Sequence, residues 1–183
     1  MPMPALPQGV CHNLLAPHPD GRGTLVELFR HSFPGAFEVA QWNGVTSSAG
    51  VMRGVHVHLV HWDYLIVLSG RALVGLRDLR EGSPTSGESA LVEMRGDAPA
   101  SLTIPPGVAH GFLFPEASLH VYGVSHVWNQ DDELGCHWRD PELRIPWPVA
   151  EATVSPRDAA LPPLAFLLRT IAGSGSSPVA ARP

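Results

Sequence analysis

Glycine and proline interrupt this chain at short intervals, and that spacing limits what it can fold into. Of its 183 residues, 18 are glycine and 19 are proline. The apolar runs between them, such as YLIVLSG at 64–70 and SALVEM at 89–94, have the length of strands rather than of helices. Because glycine and proline favour turns and end helices, the sequence predicts an all-β body of many short strands.

Other segments share this strand-like character, and their density favours a closed sandwich or barrel. A hairpin about Gly70 is expected, and the sequence HPDGRG at 18–23 is expected to form a turn. The remaining predicted strands are 23–30, 71–80, 100–114 (two strands around a Pro-Pro-Gly turn) and 118–128.

The pattern changes after Trp147. The segment SPRDAALPPLAFLLRTIA at 155–172 begins with serine and proline, as helices often do, and its apolar residues recur at roughly helical spacing. It predicts one or two helices at the C-terminal periphery. The tail at 173–183 is rich in Gly, Ser and Pro and is expected to be disordered. We therefore predict a single domain over residues 1–172.

Charge and composition exclude several classes of function. The net charge is −5 and no run of basic residues occurs, so a nucleic acid or an anionic membrane is not an expected partner. The start of the chain lacks the pattern of a signal peptide, and no apolar run is long enough to span a bilayer. Cys11 and Cys136 are most simply reduced thiols. These features predict a cytoplasmic protein.

The segment VMRGVHVHLVHWDYLIVLSG at 51–70 carries three histidines and an aspartate within an otherwise apolar strand pattern. Residues two apart in a strand face the same side, so His56 and His58 would point together, and Val55 and Val57 would face the other way. A polar interior face needs a ligand, since buried polar groups are otherwise unsatisfied. The alternative is an edge strand with exposed histidines.

Two motifs in this region resemble the signatures of the cupin superfamily. In HVHLVHWDYLIVLSG, His56 and His58 are followed after four residues by Asp63 and after six more by Gly70. Downstream, PPGVAH ends at His110. Aspartate stands here in place of the more usual glutamate. The resemblance implies a cupin double-stranded β-helix, or jelly roll, with its site in the interior.

A narrower resemblance covers some 140 residues of the chain. Eight blocks follow one another as in the dTDP-4-dehydrorhamnose 3,5-epimerases: DGRGTLVELF (20–29), QWN (41–43), GVMRGVHVH (50–58), SGRALVGLRDLREGSPTSGE (69–88), IPPGVAHGF (104–112), VYGVSHVW (121–128), WRDPELRIPWP (138–148) and SPRDAALPPL (155–164). The resemblance implies a cofactor-independent isomerase that acts on a dTDP-4-keto-6-deoxy sugar through an enolate. It also implies a homodimer.

The resemblance assigns roles to matching residues. His56 corresponds to the general base, Asp158 to the carboxylate that pairs with it, and Tyr122 to the general acid on the opposite face of the sugar. The chemistry is consistent, because histidine is the natural base near neutral pH and a carboxylate fixes its tautomer. The positions that match the family's substrate site are Arg22, Glu27, Gln41, Asn43, Arg53 and His110. Trp128 stands where the family usually has a second tyrosine, and it could still stack on a base or sugar face.

Two departures from the family are informative. The family usually has glutamine where His58 stands, and a lysine thought to stabilise the enolate where Asp63 stands, after a loop about three residues longer than the one here. An anion in place of that cation should destabilise an enolate, unless another group supplies positive charge.

The same departures open an alternative. His56, His58, Asp63 and His110 have the spacing of cupin metal ligands, and such a set suits divalent Fe, Mn, Ni, Co or Zn. The chain would then be a metal-dependent oxygenase or a metal-assisted isomerase. A metal-bound His56 could not also abstract a proton, so the two hypotheses compete for one residue. A second alternative is a catalytically inactive sugar-binding cupin.

Overall fold

The computed structural model describes residues 4–129 and 132–173, and these residues form an all-β body with short helices at the C-terminal end. In chain order the elements are β1 (Cys11–Leu14), β2 (Pro17–Asp20), β3 (Gly23–Val26), β4 (Gln41–Ser47), β5 (Val51–Val57), β6 (Asp63–Ser69), β7 (Arg71–Asp78), β8 (Ser89–Arg95), β9 (Ala100–Ile104), β10 (Val108–Phe114), β11 (Ser118–Val124), β12 (Leu134–Gly135), a 3-10 helix (Pro141–Leu143), α1 (Pro156–Ala159) and α2 (Leu164–Gly173).

The strands form two five-stranded antiparallel sheets that pack on each other, and a separate two-stranded hairpin. The first sheet has the order β1-β9-β6-β11-β4 and the second the order β12-β5-β10-β7-β8, while β2 pairs only with β3. This is the predicted cupin jelly roll, and the prediction of one or two C-terminal helices is also confirmed.

Alternation along β6 explains how the first sheet is covered on both faces. Leu65 and Val67 point into the core between the sheets. Tyr64 and Ile66 point to the opposite face, where aromatic residues of the segment 27–40 cover them. Because both faces are buried, this strand reads as a continuous apolar run instead of an alternating one.

Alternation along β5 sets the direction of the histidines. Val55 and Val57 pack beneath α2 on the outer face of the second sheet, against Leu164 and Leu167. The intervening His56 therefore faces the space between the sheets, as predicted. The alternative of exposed edge histidines does not hold, because β12 covers that edge and His58, which follows the strand, is only 6% exposed.

The hairpin predicted about Gly70 is wrong, because β6 and β7 leave Gly70 in different sheets and pair with other strands. Several boundaries also differ from the sequence prediction. The strand expected at 23–30 ends at Val26, and half of the predicted turn is strand β2, so that only Gly21 and Arg22 turn the chain. The strand expected at 118–128 ends at Val124. The helical segment is divided in two, because Pro162 and Pro163 interrupt it after α1.

Strand β4 was not predicted, since its sequence QWNGVTS is mostly polar and lacks the apolar runs used to find the other strands. The tail predicted to be disordered, 173–183, lies outside the described residues except for Gly173, which ends α2. The single-domain boundary at 172 stays a prediction. No helix among the described residues is long and apolar enough to cross a membrane.

Candidate active site

An open cavity of about 510 Å³ lies between the two sheets. Its walls come from β4, β5, β6, β10 and β11, and from the segment that leads into α1. Seven of the residues predicted as site residues line it together: His56, Tyr122, Asp158, Asn43, Arg53, His110 and Trp128. Concave sites with a few convergent polar groups are the usual form of a small-molecule site.

A pair formed by the half-buried His56 and the buried Asp158 is the first feature of this cavity. His56 Nε2 lies 2.8 Å from Asp158 Oδ1. Asp158 stands in α1, where its backbone N–H donates to the N-capping Ser155 hydroxyl, and its second oxygen accepts from the Gly54 N–H at 3.2 Å. The carboxylate is thus held from two sides before any substrate is present.

These contacts define the protonation of the pair. Burial raises the pKa of Asp158, but the hydrogen bonds from His56 and from Gly54 outweigh it, so the net pKa is lowered. A charged carboxylate at Nε2 keeps the imidazole proton on that nitrogen. Nδ1 of His56 is then the nitrogen able to accept a proton from a substrate.

Tyr122, the residue predicted to be the general acid, lines the cavity. It lies in β11 between Asn43 of β4 and Leu65 of β6, and its ring lines the cavity. Burial, with the nearby Asp63 and Glu133 carboxylates, raises the pKa of the phenol. The group therefore carries its proton at neutral pH and can donate it.

The Arg53 guanidinium stands in the cavity wall, where two of its nitrogens donate hydrogen bonds. Arg53 Nε donates to the Ser47 hydroxyl at 3.0 Å and its terminal nitrogen donates to the Thr46 carbonyl at 3.2 Å. These bonds orient the guanidinium along the wall formed by β4 and β5. A planar cation held in this way suits a diphosphate.

Gln41, Asn43 and Trp128 act as a unit at another part of the wall. The Gln41 amide nitrogen donates to the Asn43 side-chain oxygen at 2.8 Å, and the Gln41 oxygen accepts from the Trp128 backbone N–H at 3.0 Å. Asn43 and Trp128 line the cavity, whereas Gln41 lies behind them. Gln41 therefore positions the two residues that reach the cavity.

Two predicted substrate-binding residues do not reach this cavity. Arg22 forms an ion pair with Asp20 on the exposed β2–β3 hairpin, and Glu27 pairs with Arg30. Neither Arg22 nor Glu27 lines the cavity of its own chain. Their assignment to the substrate site stays a prediction that this cavity alone does not support.

A second histidine–aspartate cluster occupies the cavity. Asp63 Oδ2 lies 4.0 Å from His58 Nε2, 3.8 Å from His61 Nε2 and 3.9 Å from His110 Nε2. The structure thus brings together His58, Asp63 and His110, as the metal alternative required. It places His61, not His56, as the further imidazole near Asp63, because His56 Nε2 is engaged by Asp158.

The electrostatics of this cluster are the reverse of those of the first pair. Burial raises the pKa of Asp63 well above its ordinary value, and the Glu133 and Asp132 carboxylates add to the rise. Burial also lowers the pKa of His110 to about 4 and holds the pKa of His58 well below its ordinary value. The imidazoles are therefore neutral near pH 7, the form that binds metals.

Sequence reasoning missed four titratable residues of the cavity wall: His61, His120, Glu133 and Arg157. His120 could have been found, since it precedes Tyr122 by two positions in an alternating strand, and the two rings stack with centroids 6.2 Å apart. Glu133 and Arg157 form an ion pair at 2.7 Å between segments 24 residues apart in sequence. No local pattern signals that pair.

Comparison with known proteins agrees with this geometry. The family model described as dTDP-4-dehydrorhamnose 3,5-epimerase matches residues 7–165. A curated dTDP-4-dehydrorhamnose 3,5-epimerase of Neisseria gonorrhoeae is 36% identical over 155 residues, and the match spans 77% of this chain but only 45% of that relative.

Solved structures match over almost the whole chain. The rmlC epimerase of Mycobacterium tuberculosis superposes with a TM-score of 0.84 at 31% identity, covering 97% of this chain and 94% of that one. The 3,5-epimerase RmlC of Legionella pneumophila, solved in complex with dTDP-4-keto-L-rhamnose, gives 0.85 at 27% identity and covers 98% of both chains. As the sequence blocks predict, the chain belongs to the dTDP-4-dehydrorhamnose 3,5-epimerase family of isomerases.

Proposed function

We propose that this protein epimerises a dTDP-linked 4-keto-6-deoxy sugar at a carbon next to the ketone, through an enolate. The observation that carries the proposal is that the His56–Asp158 pair and the Tyr122 phenol line one cavity. The substrate class is supported by the Legionella relative, whose structure contains dTDP-4-keto-L-rhamnose.

The reaction needs a base on one face of the sugar and an acid on the other. His56 Nδ1 removes the proton from the carbon next to the ketone, and the C–H electron pair forms the enolate with negative charge on the carbonyl oxygen. Asp158 stabilises the imidazolium that results. The Tyr122 phenol then protonates the same carbon from the opposite face, which inverts the centre.

After inversion the enzyme is left with one extra proton on His56 and one fewer on Tyr122. Exchange with solvent restores both groups. The two proton transfers need no bound cofactor in this scheme. Arg53 is assigned to the diphosphate, and Asn43 and Trp128 to the sugar or the base, with Gln41 holding them in place.

Solvent deuterium tests this assignment directly. The purified protein is incubated with dTDP-4-keto-6-deoxyglucose in D2O, and deuterium incorporation next to the ketone is followed by NMR. We expect incorporation by the wild type and a loss of ~10²-fold or more in His56→Asn. His31→Asn, at an exposed histidine outside the cavity, is the matched control. Exchange by His56→Asn at the wild-type rate would contradict the proposal.

We propose that the protein works as a homodimer. The β2–β3 hairpin is almost entirely exposed, and a two-stranded hairpin without further packing is marginally stable. Leu25 on this hairpin is 62% exposed and Leu14 on β1 is 77% exposed. A second copy covering this surface would bury both and would give Arg22 and Glu27 a cavity to act in. Sedimentation velocity tests the dimer, and Leu25→Asp should shift it toward monomer.

We also propose a cytoplasmic location. It is supported by Cys11 and Cys136, which are both free thiols in the described part of the chain. Subcellular fractionation with an antibody against the untagged protein tests the proposal. Recovery in a secreted or membrane fraction would contradict it.

A further inference from the structure

The cluster around Asp63 has the geometry of ligands around a shared ion. Its three imidazole nitrogens lie 3.8–4.0 Å from the same carboxylate oxygen, too far for hydrogen bonds. Ligand atoms each ~2.1 Å from a tetrahedral metal stand roughly 3.4 Å from one another. The ligand atoms of His58, Asp63 and His110 all lie within 4.8 Å of one another, so small shifts would place them in three positions of such a shell. A larger movement of the His61 ring, whose Nε2 lies 3.8 Å from Asp63, would fill the fourth.

Each imidazole is already oriented by an oxygen on its other nitrogen. His61 Nδ1 lies 3.0 Å from an Asp132 carboxylate oxygen, His58 Nδ1 lies 3.3 Å from the Asp132 carbonyl, and His110 Nδ1 lies 3.2 Å from the Val108 carbonyl. With the proton on Nδ1, every Nε2 presents a lone pair toward Asp63. Metal-ligating histidines are held by partners of this kind.

In the described part of the chain, no protein cation forms an ion pair with this cluster. Asp63 is 6% exposed, and the three imidazoles are 6%, 3% and 4% exposed. All 12 basic residues of the chain are arginine, so no lysine exists to pair with Asp63, and among the described residues no arginine forms an ion pair with it. A buried carboxylate without a positive partner is costly.

We propose that His58, His61, Asp63 and His110 bind one divalent transition-metal ion. Three imidazoles and one carboxylate suit Zn, Fe, Mn, Co or Ni, and the donor set excludes Mg and Ca, which prefer oxygen. His56 stays with Asp158 and outside the set. The competition between metal ligand and catalytic base for His56 therefore disappears.

The ion would supply the positive charge that the family lysine supplies at the position of Asp63. The ligands line the same cavity as His56 and Tyr122, so a bound cation faces the substrate. A cation there stabilises negative charge on a carbonyl oxygen. The binding site itself does not depend on the proposed function, since its ligands are not the groups assigned to proton transfer.

Metal content and a Co²⁺ spectrum test the site without reference to turnover. Protein purified without chelators is analysed for metals, then stripped and titrated with Co²⁺ while the visible d–d absorption is followed. We expect about one ion per chain and a saturable spectrum of low-coordinate cobalt. No stoichiometric metal together with no saturable spectrum in the wild type would overturn the inference.

Variants separate this site from binding by scattered histidines. We expect Asp63→Asn and His61→Asn to weaken Co²⁺ binding by ~10²-fold or more. Asp132→Asn neutralises the carboxylate that orients His61 and accepts from the Leu59 N–H, and it should weaken binding by ~10–100-fold. The control is His120→Asn, at a histidine 3% exposed in the same cavity but outside the ligand set. It should bind Co²⁺ as the wild type does.

The outcomes of the variants are decisive in each direction. Circular dichroism establishes that each variant is folded, and His58→Gln replaces any ligand variant that is not. Wild-type affinity in folded Asp63→Asn and His61→Asn would overturn the site. Metal bound at one ion per chain without deuterium exchange would contradict the proposed function and leave the site standing. Deuterium exchange by a protein that binds no metal would support the proposed function and overturn the metal site.

Discussion

The cavity contains two aspartates beside histidines, and the chain holds their carboxylates in opposite ways. Asp158 receives hydrogen bonds from His56 and from the Gly54 N–H, and its net pKa is lowered. Among the described residues, the ring nitrogens nearest Asp63 are three imidazoles at 3.8–4.0 Å, and its pKa is raised well above the ordinary value.

The difference shows that residue type alone does not define a site. Asp158 is placed by a helix start, whose backbone and cap hold the carboxylate ready to support an imidazolium. Asp63 begins β6 inside the cavity, and among the described residues its ion-pair partners are imidazoles and not arginines. One carboxylate is complete without a ligand, and the other requires a proton or a cation.

The largest effect is expected from a substitution that disrupts the His56–Asp158 pair. Asp158→Asn replaces the acceptor of the His56 N–H by an amide that can also donate, so the imidazole loses its fixed tautomer. We expect deuterium exchange to fall by ~10²-fold or more. Asp97→Asn, at an exposed carboxylate paired with Arg95, is the control. Exchange within threefold of wild type would make Asp158 structural only.

A smaller effect on deuterium exchange is expected from Tyr122→Phe, which leaves the contacts of Asp158 and of Asp63 unchanged. Proton abstraction by His56 should continue, so deuterium exchange should stay within about tenfold of wild type, while inverted product should fall by ~10²-fold. NMR of the exchanged substrate and of the product measures the two together. If product and exchange fall in the same ratio, Tyr122 is not the acid.

A third carboxylate sharpens the comparison through its pH dependence. Asp78 is 1% exposed and accepts hydrogen bonds from Arg80, Ser83 and Thr85. Burial raises its pKa, but these bonds outweigh it and bring the pKa to about 2. A lowered folded-state pKa stabilises above the unfolded value, so this contribution is complete above roughly pH 4 and is lost between roughly pH 4 and pH 2.

The magnitude of that contribution is about 2 kcal/mol. Urea unfolding at a series of pH values measures it, and Asp78→Asn should lower stability at pH 7 and flatten the acid limb of the profile. Glu81→Gln, in the same loop, serves as the matched control. An unchanged acid limb in Asp78→Asn would show that other carboxylates cause it.

The smallest expected effect separates Asp158 from Asp63 in metal-stripped protein. Asp158→Asn weakens the hydrogen bonds that the carboxylate accepts from His56 and from the Gly54 N–H. It should lower the free energy of unfolding by about 1 kcal/mol. Asp63→Asn removes a buried group without a charged partner and should leave that free energy unchanged or raise it. Urea unfolding at pH 7 measures both. Equal losses would erase the distinction between the two carboxylates.

The sequence predicts those features that depend on strand periodicity or on a match to the family's sequence blocks. The jelly roll follows from strand-length apolar runs between turns, and the inward direction of His56 follows from the alternation with Val55 and Val57. The family and its isomerase class follow from ordered blocks and are confirmed by the comparisons. The pairing of His56 with Asp158, 102 residues apart, came from the resemblance alone.

Contacts made by loops could not be predicted in the same way. His61 lies outside any strand, so no periodicity shows where its ring points. The assignment of Arg22 and Glu27 came from matching blocks, which carry no information on whether a residue serves its own cavity. The sequence shows which strand or helix carries each reactive residue. The conformation of the loops between them determines which of these residues come into contact.

The β5–β6 connection has a consequence for how this site can vary. Asp132 contacts three points of the connection: the Leu59 N–H at 3.0 Å, His58 at 3.3 Å and His61 at 3.0 Å. A single inserted residue would displace all three together. The length of this loop and the geometry of the cluster can therefore change only together. Replacing the loop by the longer one of the family would also disrupt the imidazole cluster.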